Sequence, residues 1–154
     1  MKKQLLAAAV LALAAGTTFA QAGDTLAKIK SSGSITLGVR ESSGLSYTLG
    51  NGKYVGFHTE MAEHIIGDLQ KQLGLAKLDI KYQPVTSQNR IPLVTNGTVD
   101  LECGSTTNNT ARQKDVAFAV TTYVEEVRMA VKASSDIKSI KDLNGKTVAT
   151  TTGT

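Results

Sequence analysis

At 154 residues, with 41% hydrophobic and 19% charged residues and 2 prolines, the chain has a globular composition rather than a disordered or fibrous one. That length ordinarily suggests a single domain. The net charge of +4 is not gathered into a Lys/Arg cluster with interleaved aromatics, which argues against nucleic acid as a partner.

The first 22 residues differ from the rest. Met1-Lys2-Lys3 is a short basic head, Leu5 to Ala15 is an unbroken apolar run, and Ala20-Gln21-Ala22 is a small-x-small end. This order of parts predicts a cleavable secretion signal over 1–22, whose apolar run is too short for a membrane span. Cleavage after Ala20 is the alternative to cleavage after Ala22. With Lys2 and Lys3 removed, 15 basic residues face 13 acidic ones, a net of +2. No later stretch is long and apolar enough for a membrane-spanning helix. The single cysteine, Cys103, is expected to be a buried structural thiol.

Along the mature chain, Asp24 to Ser31 predicts a short helix with Leu26, Ile29 and Ala27 facing inward, broken at Ser32-Gly33-Ser34. Ile35, Leu37 and Val39 alternate with Thr36 and Gly38, which is strand spacing. Ser42 to Gly52, rich in Ser and Gly, reads as a loop or tight turn. Phe57, Met61, Ile65, Leu69 and Leu73 then recur every four residues, flanked by Ala62 and Ile66, and predict a long amphipathic helix ending near Gly74. Leu78, Ile80 and Tyr82 give a second strand. Thr86-Ser87-Gln88-Asn89 carries helix-capping side chains ahead of a helix over 90–96, where Pro92 is tolerable in the first turn. Val99 to Cys103 is a third strand, Gly104 to Asn109 a polar loop, and Thr110 to Asp115 a short helix. An extended stretch from Val116 to Tyr123 follows. Val127, Met129 and Val131 suggest a further strand, Ile137 to Leu143 a short helix, and Thr147 to Thr151 a last strand. Strands alternating with helices predict an α/β fold with a mostly parallel sheet flanked by helices.

In such a sheet, ligands bind beyond the carboxyl ends of the strands. Arg40-Glu41-Ser42 follows the first strand, Thr86 to Arg90 the second, and Gly104-Ser105-Thr106-Thr107 with Arg112 the third. Guanidinium pairs with carboxylate through two parallel hydrogen bonds, and hydroxyls can complete the shell. Two or three arginines suit a ligand with a second carboxylate, whereas a neutral amino acid would need one. Singly, a loop arginine is usually solvated and a Ser or Thr before a helix is usually a cap. The weight lies in their joint placement.

The segment Thr86-Ser87-Gln88-Asn89-Arg90-Ile91-Pro92-Leu93, then Asn96-Gly97-Thr98, then Glu102-Cys103-Gly104-Ser105-Thr106-Thr107-Asn108-Asn109 and Arg112, resembles the periplasmic glutamate/aspartate-binding proteins. These belong to the family 3 solute-binding proteins of ABC importers. Val39 to Ser43 and Asp142 to Lys146 resemble them too, so the likeness runs from about residue 25 to the end. It implies a periplasmic-binding-protein-like lobe with a ligand clamp. Arg112 would hold the α-carboxylate beside Ser105 and Thr107. Arg40, Ser87 and Arg90 would hold the side-chain carboxylate. Thr154, in Thr151-Thr152-Gly153-Thr154, would belong to a second-lobe anion loop. The implied ligand is glutamate or aspartate, the implied partner the membrane permease of the importer, and the implied location the periplasm. No cofactor or metal is implied, and a monomer is expected. His58 in Gly56-Phe57-His58-Thr59-Glu60 stands where the family usually has an acid, and Leu45 where it often has an aromatic. The implied organisation is a first lobe over 23–119, then a hinge crossover and the start of an incomplete second lobe over 120–154.

Two other classes compete. A periplasmic enzyme on the same fold, dehydratase-like, would need a positioned acid or base. His58 and His64 lie on different faces of one helix and read as surface or satisfied residues, while Glu41 and Glu102 follow strands without a specific constellation. A receptor sensor domain would need a membrane span downstream.

Overall fold

The computed structural model describes residues 24–154; the predicted secretion signal over 1–22 lies outside the described residues. The first helix, α1 (Thr25–Ser32), starts where the Asp24 carboxylate accepts the Ala27 N–H at 3.2 Å, and ends at Gly33 with φ 62°. Only Ile29 is buried; Leu26 and Ala27, expected inside, are exposed. A two-turn helix resting on one neighbour buries a single stripe, and Ile29 fills it.

Strand β1 (Ser34–Val39) is the centre of the molecule. It pairs in parallel with β5 (Asp79–Pro84) on one side and β6 (Leu101–Glu102) on the other. Ile35, Leu37 and Val39 are buried, and with Ile29, Ala62, Ile66 and Leu78 they form the core. Parallel strands need crossovers, supplied by α2 (Phe57–Gln72) and α3 (Arg90–Thr95). The α/β class and the strand–helix alternation expected from the sequence are present.

The expected loop over Ser42–Gly52 is instead part of a second, antiparallel sheet of β2 (Ser42–Ser43), β3 (Ser46–Gly50) and β4 (Lys53–Val55). Asn51 and Gly52, at φ 55° and 71°, make the tight turn between β3 and β4. Ser46 is fully buried and ties this hairpin inward. Its hydroxyl lies 2.9 Å from Thr59 Oγ1 on α2 and within 3.2 Å of the Arg40 carbonyl.

The long helix was expected to bury the stripe led by Phe57, Met61 and Ile65. It buries His58, Thr59, Ala62 and Ile66, while Phe57 and Ile65 are about half exposed. Leu69 and Leu73 do pack on the core. The helix is rotated because its N-terminus is fixed by the hairpin: His58 N–H donates to the Leu45 carbonyl at 2.9 Å, and Thr59 meets Ser46.

Between β5 and α3 the caps are reciprocal. Asn89 Oδ1 accepts the Thr86 N–H at 2.7 Å, and Thr86 Oγ1 accepts the Asn89 N–H at 3.2 Å. Pro92 is the third residue of α3, where its missing N–H costs no helical bond. Asp100, its side chain almost fully buried, ties three elements: Lys28 Nζ of α1 at 2.7 Å, the Thr36 N–H of β1 at 2.9 Å, and the start of β6.

After β6 the regular structure thins to two 3-10 turns, Arg112–Lys114 and Ile140–Leu143, at the two short helices expected there. The strands expected at Val127–Val131 and Thr147–Thr151 are absent. Their alternating apolar side chains are exposed, and no neighbouring strand among the described residues offers them a hydrogen-bonding edge.

Candidate functional site

The sheet order β5-β1-β6 sets three strand ends side by side, and the loops after them converge. Arg40 follows β1 and reaches the loop after β5, where its Nη1 donates to the Val85 carbonyl at 3.4 Å. Arg90, at the start of α3, points to the loop after β6, where its Nη1 donates to Ser105 Oγ at 3.5 Å. Arg112 reaches back, with Nη1 to the Thr107 carbonyl at 3.0 Å and Nη2 to the Gly153 carbonyl at 3.1 Å.

Arg90 is the decisive side chain. It is 2% exposed, the largest fully buried side chain described, yet it has no carboxylate within ion-pair distance and its Nε has no hydrogen-bond partner. Buried guanidinium is costly unless paired and hydrogen-bonded. Burial, with Arg112 and Arg40 nearby, lowers its pKa, and the Glu102 carboxylate opposes that shift. Arg40 Nε is likewise buried without a partner. Ser87 is buried beside this cluster; Ser105 and Thr107 are exposed on the opposite loop.

Glu102, the last residue of β6, lies behind the cluster. Thr106 Oγ1 donates to its Oε2 at 2.8 Å, while Oε1 is buried without a partner. Burial raises its pKa; the Thr106 hydrogen bond and Arg90, Arg40 and Arg112 pull the other way. Two glycines make room for it. A Cβ on Gly38 would come within 3.2 Å of Glu102 Cγ, and one on Gly104 would come within 2.4 Å of Oε1 and 2.9 Å of Arg40 Cγ. Next to it, Cys103 is half-buried, and burial with the Glu102 charge pushes its thiol up to about 11.

The C-terminal loop borders the cluster. A Cβ on Gly153, at φ 83°, would lie 2.7 Å from the Ser87 carbonyl and from Gln88 Cα. Thr154 itself turns away, donating its hydroxyl to the Thr151 carbonyl at 2.7 Å. Six of the seven candidate residues therefore line one edge of the parallel sheet. Thr154 reaches that edge through its loop, with its own side chain engaged locally.

The sequence places Glu102 in the family-like segment and, with Glu41, among possible bases, but not among the ligand-binding residues, and it does not single out Gly153. A carboxylate within an otherwise apolar strand segment, Leu101-Glu102-Cys103, was the signal available. His58 was read as a surface or satisfied helix residue; it is 4% exposed, with Nε2 3.0 Å from Thr122 Oγ1 and Nδ1 without a partner. His64 is exposed. Two open grooves lie elsewhere, one between Tyr54, Tyr82, Glu60 and Glu63, the other along Phe57, Met61 and His64. Neither includes an arginine of the cluster, and concavity alone carries less weight than a buried unpaired guanidinium. No cluster of metal-ligating side chains occurs among the described residues.

Residues 35–150 match the family described as bacterial extracellular solute-binding proteins, family 3. The glutamate/aspartate import solute-binding protein of Salmonella typhimurium is 44% identical over 160 residues, covering 100% of this chain and 53% of that protein. The L-glutamate/L-aspartate-binding protein of Pseudomonas aeruginosa is 45% identical, covering 97% of this chain and 51% of that one. The chain thus spans about half the length of the curated relatives it matches. Among solved structures, the solute receptor for L-cysteine of Neisseria gonorrhoeae superposes with a TM-score of 0.53 at 30% identity, over 62% of this chain and 37% of that one.

Proposed function

The chain belongs to the bacterial extracellular solute-binding proteins of family 3, and from that membership we propose that it captures an acidic amino acid, glutamate or aspartate, for an ABC importer. The observation that carries the reading is Arg90: a buried guanidinium without a carboxylate partner, flanked by Arg40 and Arg112. Such a group is stabilised by an arriving carboxylate, and three neighbouring guanidiniums suit a ligand that brings two. The names of the relatives support the same ligand class.

In this reading Arg40, Ser87 and Arg90 receive the side-chain carboxylate, and Arg112, Ser105 and Thr107 the α-carboxylate. The loop ending at Thr154 contributes from the other side. Residues 23–119 act as the first lobe; 120–154 are the crossover and the beginning of a second. The packing contrast between these segments supports that division. The protein is exported by its first 22 residues, works in the periplasm as a monomer without catalysing a reaction, and hands its ligand to a membrane permease. Among the described residues no helix is long and apolar enough to cross a membrane.

The test is calorimetric titration of L-glutamate, L-aspartate and L-glutamine into residues 23–154, and into the same chain extended with the remaining half of a glutamate/aspartate-binding relative. The extended protein should bind the two acidic ligands and reject glutamine. Arg90→Gln should weaken glutamate binding about 30- to 1000-fold, the scale for breaking a buried charge pair. Preference for glutamine would refute the acidic-ligand reading.

A further inference from the structure

We propose that Glu102 is the resident counter-ion of the arginine cluster, a positioning residue that offsets the mutual repulsion of Arg40, Arg90 and Arg112 and competes with an incoming anion for them. The inference deepens the reading that this edge of the sheet is an anion site, and rests on it.

Four observations converge on Glu102. Its carboxylate lies within electrostatic reach of all three guanidiniums. It is held by Thr106 Oγ1 and closely flanked by Gly38 and Gly104; a Cβ on Gly104 would lie 2.4 Å from its Oε1, and one on Gly38 3.2 Å from its Cγ. It makes no ion pair within 4.0 Å, so the arginines keep donors uncommitted. The unpartnered atoms of this edge are complementary: Arg40 Nε and Arg90 Nε are donors, Glu102 Oε1 an acceptor. Three cations gathered without an anion repel one another, and more strongly where burial keeps water out. A carboxylate fixed nearby but not hydrogen-bonded to them lowers that repulsion while leaving their hydrogen-bonding forks open. The same charge repels any second anion, so Glu102 restrains affinity as well as supporting the empty site.

The test uses Glu102→Gln, which keeps the shape and removes the charge, in the full chain. Thermal unfolding is followed against sodium sulfate and, separately, L-glutamate, since an anion that binds only the native state raises the midpoint. Glu125→Gln, at an exposed carboxylate outside the site, supplies the same change in net charge. The sulfate concentration giving half of the stabilisation should fall about tenfold in Glu102→Gln and not in Glu125→Gln. A sulfate response equal to that of wild type overturns the proposal. If Glu102→Gln does not fold, the charge-balanced double variant Glu102→Gln/Arg40→Gln decides: recovery of folding supports a counter-ion, and continued failure overturns the proposal, since removing one cation should then have relieved the repulsion. The glutamate arm separates the two readings. Tighter sulfate binding with no glutamate response in either chain, each also extended with the remaining half of a glutamate/aspartate-binding relative, keeps the counter-ion and removes the acidic amino acid. An equal glutamate response in both chains, with sulfate unchanged, keeps the ligand and removes the counter-ion.

Discussion

Residues 24–119 and residues 120–154 carry similar alternating apolar patterns and have opposite fates. Ile35, Leu37 and Val39 lie on a strand with a parallel partner on each side and are at most 2% exposed. Val127, Met129 and Val131 have the same spacing, form no strand, and are 101%, 41% and 44% exposed. Alternation specifies which face of a strand will be apolar; it does not supply the neighbour that completes the hydrogen bonds. The second segment touches the first at two places that matter for the site: Thr122 against His58, and Gly153 against Ser87, Gln88 and Arg112.

The largest expected effect tests that contrast directly. Leu37→Ala should cost about 2–5 kcal/mol in urea unfolding, because it opens a cavity in the closed core. Val127→Ala should change stability by less than about 0.5 kcal/mol, because it uncovers nothing. A Val127→Ala cost near that of Leu37→Ala would show that the second segment packs in solution. Next in size is Asp100→Ala, expected to cost about 1–3 kcal/mol by the same measurement, since it leaves the Thr36 N–H without its acceptor and leaves Lys28 of α1 only its bond to the Gly97 carbonyl. The effect should be confined to the first region.

Much of the first region was legible because its signals are local. Periodicity located β1, α2 and β5; the Thr86–Asn89 capping pair located α3; and the strand ends then pointed to the segments that hold Arg40, Ser87, Arg90, Ser105, Thr107 and Arg112, which the family resemblance singled out within them. What was missed depended on neighbours distant in sequence. The Ser42–Val55 meander has strands as short as two residues, too short for a period to register. The rotation of α2 follows from the Ser46–Thr59 contact, which turns His58 inward and Phe57 outward against the hydrophobic pattern. Glu102 looked like a stray acid because the guanidiniums near it come from three segments distant in sequence. The last two strands were misread because the pattern was present and the partner was not.

A chemical effect comes third. The raised pKa of Cys103 means that its thiolate is scarce at neutral and mildly alkaline pH. Alkylation at pH 8 should be about a hundredfold slower in the folded chain than after unfolding in urea, the ratio of thiolate populations for a shift from 9.0 to about 11. The sign for stability follows. Between those values the folded chain holds a proton that the unfolded chain has lost, so this group's contribution fades as pH rises from 9.0 towards 11. An alkylation rate unchanged by unfolding would show that the β6 end opens readily, and would blur the distinction between the two regions.

The smallest effect concerns the joint between the regions. His58 is buried on α2, and its Nε2 bond to Thr122 attaches the extended segment to the first region. Burial lowers its pKa below 6.5, and the nearby Gly104 backbone, which opposes that shift, does not reach hydrogen-bond geometry with Nδ1. The unfolded chain therefore takes up a proton before the folded chain does. The contribution of neutral His58 is complete above pH 6.5 and is lost as pH falls through that value towards its lower folded pKa. A double-mutant cycle of His58→Ala and Thr122→Val should return a coupling of about 0.5–1.5 kcal/mol at pH 7.5, the scale of one hydrogen bond. Amide exchange over 120–125 should accelerate in each single variant, and in wild type as the pH is lowered to 5 after correction for intrinsic rates. Exchange over β1 should stay slow throughout. A coupling of zero would mean that the extended segment lies against α2 without being held by it. The orientation of the chain beyond the crossover would then rest on Gly153 against Ser87, Gln88 and Arg112.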